Sequence, residues 1–288
     1  MSTSLKRSET VCCGVTRARS EPVPAHVDGD ITRPNSVLGK AQLLLEAFGS
    51  GTHQLRLTEL SRRSGIPKAS THRLAQELVQ WGLLERQGDS YQLGMQLFSL
   101  GQRVPASAML RAVARPLLTD LFARTRATLH LAVLDGSHVL FLEKVAGAAN
   151  IHTHSHIGGR LPASCTATGK VLLALHRGGP EAVQRLARTG LPSLTTRSVA
   201  TTEKLGQQLA AVADRGYALE HGEVLSGHSS LAVPVTGADG TVHAAVSATA
   251  TTARMQTGSL LPELWSAAAG IARRLDHATL PLHNDTDQ

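Results

Sequence analysis

The 288-residue sequence is poor in cysteine and in aromatic side chains, and it contains no long apolar run. Cys12 and Cys13 are adjacent near the N-terminus and Cys165 stands alone, so the CxxC spacing of a redox or metal motif is missing. This arrangement argues against a disulfide framework and predicts a reducing, cytoplasmic location. No segment approaches the ~18–20 apolar residues that a membrane span requires, and residues 1–35 lack the apolar block of a signal peptide. The sequence therefore predicts a soluble protein with no membrane partner.

Aromatic residues make up only 3% of the chain, so leucine, valine and alanine must fill the core that a hydrophobic content of 42% allows. The formal net charge is +7 and the sequence pI is about 9.8. This balance favours a polyanionic partner such as nucleic acid, although net charge bears on association rather than on fold. The length suits one large domain or two smaller ones.

Turn residues interrupt a helical periodicity in residues 36–81. Ser36 is a candidate N-cap, and apolar residues follow it at helical spacing up to Phe48. After the break GSGTHQ, Thr58 is predicted to cap a short helix, TELSRRS. Gly65 is predicted to end that helix, because glycine accepts the left-handed conformation of a helix stop.

A second helix is predicted to begin just after Pro67, where the missing N–H of proline is harmless. It spans about Lys68 to Trp81, with Leu74, Leu78 and Trp81 as its predicted buried stripe. Two helices joined by a short turn that contains glycine form a helix-turn-helix motif.

Short hydroxyl and basic side chains occupy the first turn and a half of this second helix. They are Lys68, Ser70, Thr71, His72 and Arg73. A recognition helix uses its N-terminal residues to reach base edges in the major groove, and donors of these types suit both bases and phosphates. An ordinary solvated helix pair in a bundle is the alternative. We predict DNA contacts from these five residues, with Thr58 as a further contact on the preceding helix.

The stretch LLERQGDSYQLG predicts two short strands around the turn at Gly88 and Asp89. A hairpin directly behind a recognition helix has the position of a wing. Arg86 on this hairpin is a predicted contact to phosphate or to the minor groove.

The second half of the chain alternates strand and helix patterns. The predicted strands are TLHLAVLDG and HVLFLEKV around Gly136-Ser137, NIHTHSHI, and SSLAVPVTG and TVHAAVSATA around Ala238-Asp239-Gly240. The predicted helices are about Ser107 to Thr125, TATGKVLLALHRGG, TEKLGQQLAAVADRG ended by Gly216, and LLPELWSAAAGIARRL. Strands in pairs with helices between them indicate an α+β domain rather than a parallel Rossmann sheet.

Several separated motifs together resemble the IclR family of bacterial transcription regulators, over about Ser36 to Leu275. They are LTELSRRSGIPKASTHRLAQELVQWGLLER, YQLG, GGRLPASCTATGKVLLA, DRGYALEHGEV and LAVPVTGADGTVHAAVSATA. The resemblance implies an N-terminal winged helix-turn-helix, a linker helix, and a C-terminal GAF-like effector domain with an antiparallel sheet flanked by helices. It also implies homodimers or homotetramers that act at palindromic operators in double-stranded DNA.

The expected boundaries are a disordered tail over 1–35, a DNA-binding domain over 36–94, a linker helix over 95–106, an effector and oligomerisation domain over 107–278, and a flexible tail over 279–288. Apolar residues of the linker helix are candidates for a dimer contact or for packing on their own domain. They are Met95, Leu97, Phe98 and Leu100.

The resemblance also implies a small-molecule pocket in the C-terminal domain. Its loop and helix start correspond to Cys165, Thr166, Ala167 and Thr168, and its facing strands correspond to Glu220, Ser230, Ser247 and Thr249. A helix N-terminus binds a carboxylate well, and acidic and hydroxyl side chains can orient a small organic acid. The alternative is that these residues only satisfy buried backbone groups. Glu220 stands where family members often have aspartate, which would reshape the pocket.

The segment IHTHSHIGG raises a metal-binding alternative. His152, His154 and His156 would share one face of a strand, but same-face neighbours stand ~6.5–7 Å apart along it, which strains a single tetrahedral zinc site. Cys165 could supply a further ligand. A metal sensor predicts stoichiometric zinc that is lost on changing His154 to Ala. The main hypothesis requires no metal and no cofactor.

An enzyme with an accessory DNA-binding module is a further alternative. GGRLPASCTATGK does not have the GxxxxGK[ST] spacing of a phosphate-binding loop. Cys165 could act as a nucleophile only beside a histidine, and no spacing in the sequence places one there. We therefore expect a regulator rather than an enzyme. Whether it represses or activates, and which effector and operator it binds, stays open from the sequence.

Overall fold

The computed structural model describes residues 36–49, 52–147 and 155–279. They form an N-terminal helical unit with a small sheet and a C-terminal α+β unit with a large antiparallel sheet. The predicted tail over 1–35, and residues 280–288 of the predicted C-terminal tail, lie outside the described residues.

Helices and strands succeed each other along the chain as follows. The helices are α1 Val37–Glu46, α2 Leu57–Ser64, α3 Lys68–Gln80, α4 Met95–Gly101, α5 Pro105–Thr125, α6 Ala167–Leu175, α7 Gly179–Thr189, α8 Thr202–Arg215 and α9 Thr257–Thr279. The strands are β1 Leu55–Arg56, β2 Leu84–Gln87, β3 Ser90–Leu93, β4 Thr128–Asp135, β5 His138–Val145, β6 Arg160–Pro162, β7 Ala218–His221, β8 His228–Thr236 and β9 Val242–Thr251. No helix in the described ranges is both long and apolar enough to cross a membrane.

The helix-turn-helix forms as predicted, around a small core. Ser36 caps α1 by accepting a hydrogen bond from the Gly39 amide at 3.1 Å. Gly65 ends α2 at φ 69°, in the left-handed region where a β-carbon is unfavourable. Leu60 of α2 and Leu74 of α3 are buried in the core that this turn closes.

Two expectations about these helices are wrong. Thr58 is the second residue of α2, whose N-cap is Arg56, so its hydroxyl does not cap the helix. Trp81 is the C-cap of α3 and is 75% exposed, because the chain leaves the helix there and turns away from the core.

The predicted hairpin is present as β2 and β3, with Arg86 opposite Tyr91. A third strand, β1, adds to the outer edge of β3 with Leu55 opposite Tyr91. A two-residue strand leaves no periodic pattern, so the sequence does not reveal β1.

The connection between the two units is shorter than the predicted linker helix. Helix α4 ends at Gly101, and α5 starts at Pro105 rather than near Ser107. Three of the apolar side chains assigned to this linker, Met95, Phe98 and Leu100, are exposed, and Leu97 is half-buried.

The C-terminal unit is built on a six-stranded antiparallel sheet in the order β6-β5-β4-β9-β8-β7. One face carries leucine and valine side chains that pack against α5 and α9. The other face carries smaller side chains, including Ala132, Ala218 and Ala232, that pack with α6, α7 and α8. The predicted α+β architecture is therefore present, and small residues leave room on the α6 side.

Two features of this unit differ from the expectation. The predicted strand NIHTHSHI is not observed where it can be seen, since Ser155 to Gly158 form a loop and turn before β6; its other residues, His152 and His154 among them, lie outside the described residues. Helix α7 was not predicted; Gly178 and Pro180 at its start read as a turn in sequence.

Helix α6 approaches the preceding loop very closely. A β-carbon on Gly169 would lie 2.1 Å from the Ala163 carbonyl oxygen. Only glycine permits this contact between two backbones, so the position of α6 over the sheet depends on it.

We predict that Gly169→Ala lowers the free energy of unfolding by about 3 kcal/mol, because α6 or the Ala163 loop must move. Gly206→Ala is the matched control, since a β-carbon there meets nothing within 4 Å and Gly206 lies inside α8. It should raise stability by about 0.5–1 kcal/mol. Urea denaturation of the full chain measures both, and equal stabilities would contradict the close approach.

Candidate functional site

The first candidate surface lies at the start of α3. Lys68, His72 and Arg73 are exposed and Ser70 is half-buried, all on the first turns of the helix. Arg73 lies 3.9 Å from Glu77, and both side chains are largely exposed, so this weak pair leaves the guanidinium free to change partners.

Thr71 does not belong to this surface. It is fully buried, and its hydroxyl donates to the carbonyl oxygens of Ile66 and Pro67 at 3.1 and 3.2 Å. The predicted DNA contact is therefore wrong. Thr71 instead stabilises the turn between α2 and α3.

Arg86 is exposed on β2, and its Nε donates to the Gly88 carbonyl oxygen at 3.0 Å, which holds the tip of the hairpin. Thr58 is exposed on α2. Nearby, Arg62 and Arg63 donate to Glu59 and lower the pKa of its carboxyl to about 2, so both basic side chains of α2 are already paired.

The second candidate site is a cavity in the C-terminal unit, between α6 and the sheet. Its empty volume is about 470 Å³, a figure that includes open solvent at its mouth. Seven of the eight residues expected at a ligand pocket line it. They are Thr166, Ala167, Thr168, Glu220, Ser230, Ser247 and Thr249.

Cys165 does not line the cavity. The side chain is fully buried, with its thiol 3.2 Å from the Pro192 carbonyl oxygen and 3.9 Å from the Ser164 hydroxyl. Burial raises the pKa of the thiol, which disfavours the reactive thiolate. The position assigned to Cys165 in a ligand pocket is therefore wrong, and these contacts do not pair it with an imidazole.

The register of the strands arranges the cavity floor in polar rows. Glu220 of β7 pairs with Ser230 of β8, which pairs with Thr249 of β9, which pairs with Thr128 of β4. In the adjoining same-face row His130 pairs with Ser247. Alternate residues of a strand share a face, so these two rows form one floor beneath α6.

A directed chain of hydrogen bonds runs along the first row. Ser230 Oγ donates to Glu220 Oε1 at 2.7 Å. Since a serine has a single hydroxyl proton, the 3.0 Å contact between Ser230 and Thr249 must have Thr249 as donor. The Glu223 amide donates to Glu220 Oε2 at 2.9 Å. Burial raises the pKa of Glu220, and these hydrogen bonds oppose that shift.

A buried ion pair supports this end of the cavity. Lys170 Nζ on α6 contacts a carboxylate oxygen of Glu223, and both side chains are almost wholly buried. Glu223 Oε2 has no hydrogen-bond partner in the described part of the chain. The carboxylates of Glu220 and Glu223 therefore both lie near a single ammonium group, that of Lys170.

His130 lies at the opposite side of the floor. Its Nε2 is 2.7 Å from Ser155 Oγ, and its ring packs at a tilt on Phe141 with 5.2 Å between centroids. Burial, with a smaller effect of Lys144, lowers the pKa of His130 to about 3, so its imidazole is neutral near pH 7.

Comparison with known proteins places the chain in a family. Residues 102–277 match the family model described as the C-terminal domain of the bacterial transcriptional regulator IclR, and residues 37–88 match the IclR helix-turn-helix domain. The chain belongs to the IclR family.

Two curated relatives illustrate the similarity of this IclR-family chain to regulators. It is 32% identical over 243 residues to the transcriptional regulator XynR of Escherichia coli, covering 83% of this chain and 96% of XynR. It is 30% identical over 272 residues to KdgR of Dickeya chrysanthemi, covering 93% and 88%.

A solved structure of an IclR homologue from Microbacterium hydrocarbonoxydans, complexed with 4-hydroxybenzoate, superposes with a TM-score of 0.77. The two chains are 30% identical, and the match covers 84% of this chain and all of that one.

Several residues of the cavity in this IclR-family chain are absent from the sequence-based prediction. They are His130, Phe141, Ser155, Leu161, Val224, Leu225 and His228. Polar Thr128 and His130 alternate with leucine in β4, which is a detectable signal of a polar face. That this face meets the cavity follows only from the pairing of β4 with β9.

The described residues contain no group of three or more histidine, cysteine, aspartate or glutamate side chains that could hold a metal ion. Of the three histidines considered for zinc, His156 is exposed in the loop before β6, and His152 and His154 lie outside the described residues. The metal hypothesis for the full segment thus stays untested.

We predict that His130→Gln makes the free energy of unfolding less sensitive to low pH. The unfolded chain protonates histidine below its ordinary pKa of 6.5, whereas buried His130 stays neutral to about pH 3, so falling pH removes stability. Between pH 7.5 and pH 5 this loss is about 2 kcal/mol for the native chain and absent for the variant. Urea denaturation at pH 7.5 and at pH 5 measures this loss, with the exposed His277→Gln as control. An identical change in the free energy of unfolding with pH in all three proteins would contradict a buried, neutral His130.

Proposed function

We propose that this IclR-family protein is a ligand-responsive, DNA-binding transcriptional regulator. The observation that carries the proposal is the combination, in one chain, of a helix with exposed polar and basic side chains at its start and a cavity with a polar floor. The first surface suits DNA and the second suits a small metabolite.

The operator contacts come from the first turns of α3 and from the hairpin. Lys68, Ser70, His72 and Arg73 face outward and carry donors for base edges and phosphates. Arg86 contacts the backbone from the wing and Thr58 contacts it from α2. The partner is double-stranded DNA with a palindromic operator, because a two-fold symmetric dimer presents two recognition helices.

The protein acts as a homodimer or homotetramer. The exposed apolar side chains around α4, including Met95, Phe98 and Val104, support this, since monomers rarely expose such residues together. They lie next to the DNA-binding unit, where a dimer contact would set the spacing of the two recognition helices.

The ligand is a small organic acid. Thr166 caps α6 by accepting from the Gly169 amide at 3.0 Å, and the positive end of the helix dipole at the cavity favours an anion. Thr168, Ser247 and Thr249 add hydroxyl groups, and Ala167 keeps the wall small. The 4-hydroxybenzoate bound to the structural neighbour is an acid of the expected size.

The ligand controls operator occupancy through its different affinities for two arrangements of the oligomer. This role needs no cofactor and no catalysis, which fits the two curated relatives described above, both of them transcriptional regulators. A regulator of transcription acts in the cytoplasm, where the DNA is.

We predict that Arg73→Ala weakens operator binding by at least about 1 kcal/mol, because it removes a donor to a base or phosphate. Thr71→Val is the matched control on the same helix. It removes two internal hydrogen bonds and should cost about 1 kcal/mol of folding stability with little effect on DNA affinity. Fluorescence anisotropy with operator DNA, found by selection from random duplexes, measures both; an Arg73→Ala protein of native affinity would remove Arg73 from the interface.

A thermal-shift screen of the full chain tests the ligand class. We expect small hydroxylated carboxylic acids to raise the melting temperature in a concentration-dependent way that is indifferent to EDTA, because they bind only the folded state. Zinc run in parallel tests the histidine segment. Stabilisation by zinc alone, reversed by EDTA, would replace the organic-acid proposal with a metal-responsive regulator.

A further inference from the structure

The cavity has two chemically different ends, and this difference bears on the ligand class within the function proposed above. The floor rows run across four adjacent strands, with His130 on β4 at one side and Glu220 on β7 at the other. Three strand spacings of about 4.8 Å place the two backbones roughly 14 Å apart. Both side chains rise from the same face of the sheet, so a ligand lying along the floor can contact them with its two ends.

In one of the two neutral tautomers of His130, this end of the cavity donates a hydrogen bond to an anion. Ser155 Oγ lies 2.7 Å from His130 Nε2. The other ring nitrogen of His130, Nδ1, forms no hydrogen bond with the described residues. If Ser155 donates to Nε2, the neutral ring carries its proton on Nδ1 and can give it to a ligand. Ser155 is itself fixed, because its carbonyl oxygen accepts from Lys144 Nζ at 2.8 Å.

A positively charged side chain lies beside this end of the cavity. The ammonium group of Lys144 lies near enough to His130 to lower the pKa of its imidazole. A carboxylate that meets Nδ1 would therefore experience the hydrogen bond and the field of Lys144 together. Phe141 and Leu161 line the cavity, and apolar surroundings strengthen both interactions.

The Glu220 end is built to accept a hydrogen bond. Glu220 receives bonds from Ser230 and from the Glu223 amide, and each of its oxygens keeps a further lone pair for a ligand donor. Thr249 donates to Ser230, so its oxygen can also accept. With Glu223 alongside and Lys170 as the counter-charge, two carboxylates face one cation, which makes this end unfavourable for a ligand carboxylate.

We propose that the ligand is a hydroxy acid whose carboxylate is recognised by His130, held by Ser155, while its hydroxyl group at the far end donates to Glu220. The reversed orientation would bring the ligand carboxylate against the carboxylate of Glu220, where like charges repel. His130 is thereby the specificity-determining residue for acids over neutral analogues, and Glu220 is the one for hydroxylated over unsubstituted acids.

Two matched pairs of probes test this assignment on the full chain: 4-hydroxybenzoate with 4-hydroxybenzamide, and 6-hydroxyhexanoate with 6-hydroxyhexanamide. Calorimetry of the native protein should show at least one acid bound about tenfold or more tightly than its amide, the factor expected for a hydrogen bond to a charged group. Benzoate and hexanoate, which lack the hydroxyl, should bind more weakly than the hydroxy acids.

Substitutions of His130 and of Glu220 test the two ends of the cavity separately. His130→Gln should lower affinity for the bound acid about tenfold and leave the amide within about twofold, so that the preference for acids is lost. Glu220→Gln should instead remove the preference for the hydroxylated acid and keep the preference for acids over amides. His277→Gln, exposed at the end of α9, is the control and should match the native protein. The melting temperature of each variant is measured as well, so that a loss of affinity caused by misfolding is recognised. His130→Asn serves as a second substitution at the same position.

Each outcome decides the proposal. A His130→Gln protein that folds and still prefers acids over amides would overturn the role of His130 and leave the regulator function intact. A stronger preference for acids in Glu220→Gln, with His130→Gln unchanged from the native protein, would establish the reversed orientation. If neither hydroxy acid binds the native protein, this assignment is wrong. The organic-acid ligand proposed above is wrong as well only if the thermal-shift screen finds no organic acid that binds, and the operator measurements with Arg73→Ala are a separate test of DNA binding.

Discussion

The ion pair between Lys170 and Glu223 is the contact on which the geometry of the cavity depends. A buried ammonium group without its carboxylate would be strongly unfavourable, so α6 must keep its second turn against the loop after β7. Ser198 fixes that loop further by donating to the Glu223 carbonyl oxygen at 2.8 Å. Once the loop is held, the Glu223 amide can reach Glu220. The direction of the carboxylate that faces the cavity is thus set by a charge pair outside its lining.

Much of the DNA-binding unit could be predicted from local sequence, because its signals are local. Gly65 and Pro67 mark the turn, and the leucines of α2 and α3 mark the core. Thr71 and Trp81 were assigned to the wrong faces for a physical reason. A threonine can bury its hydroxyl when nearby carbonyl oxygens accept its proton, and a tryptophan at a helix end leaves the periodic stripe when the chain turns away.

The cavity could be predicted only in part. The resemblance placed α6 and the polar positions of β7, β8 and β9 correctly around one space, since those positions follow from motif spacing. It also placed Cys165 there, one residue before the N-cap of α6, where the side chain points into the protein instead. His130 and Ser155 were missed because their role arises from strand register and from a loop that was expected to be a strand.

The pairing of β4 with β9 at the centre of the sheet has a consequence for synthesis of the protein. His130 and Ser247 are direct partners although they are 117 positions apart in the chain. A contact between residues so far apart in the chain forms slowly, and it cannot form before β9 has been synthesised. While the ribosome is still making β8, the DNA-binding unit is complete, but the floor of the cavity lacks its middle strand. A nascent chain therefore acquires its recognition helix well before it acquires the ability to sense a metabolite.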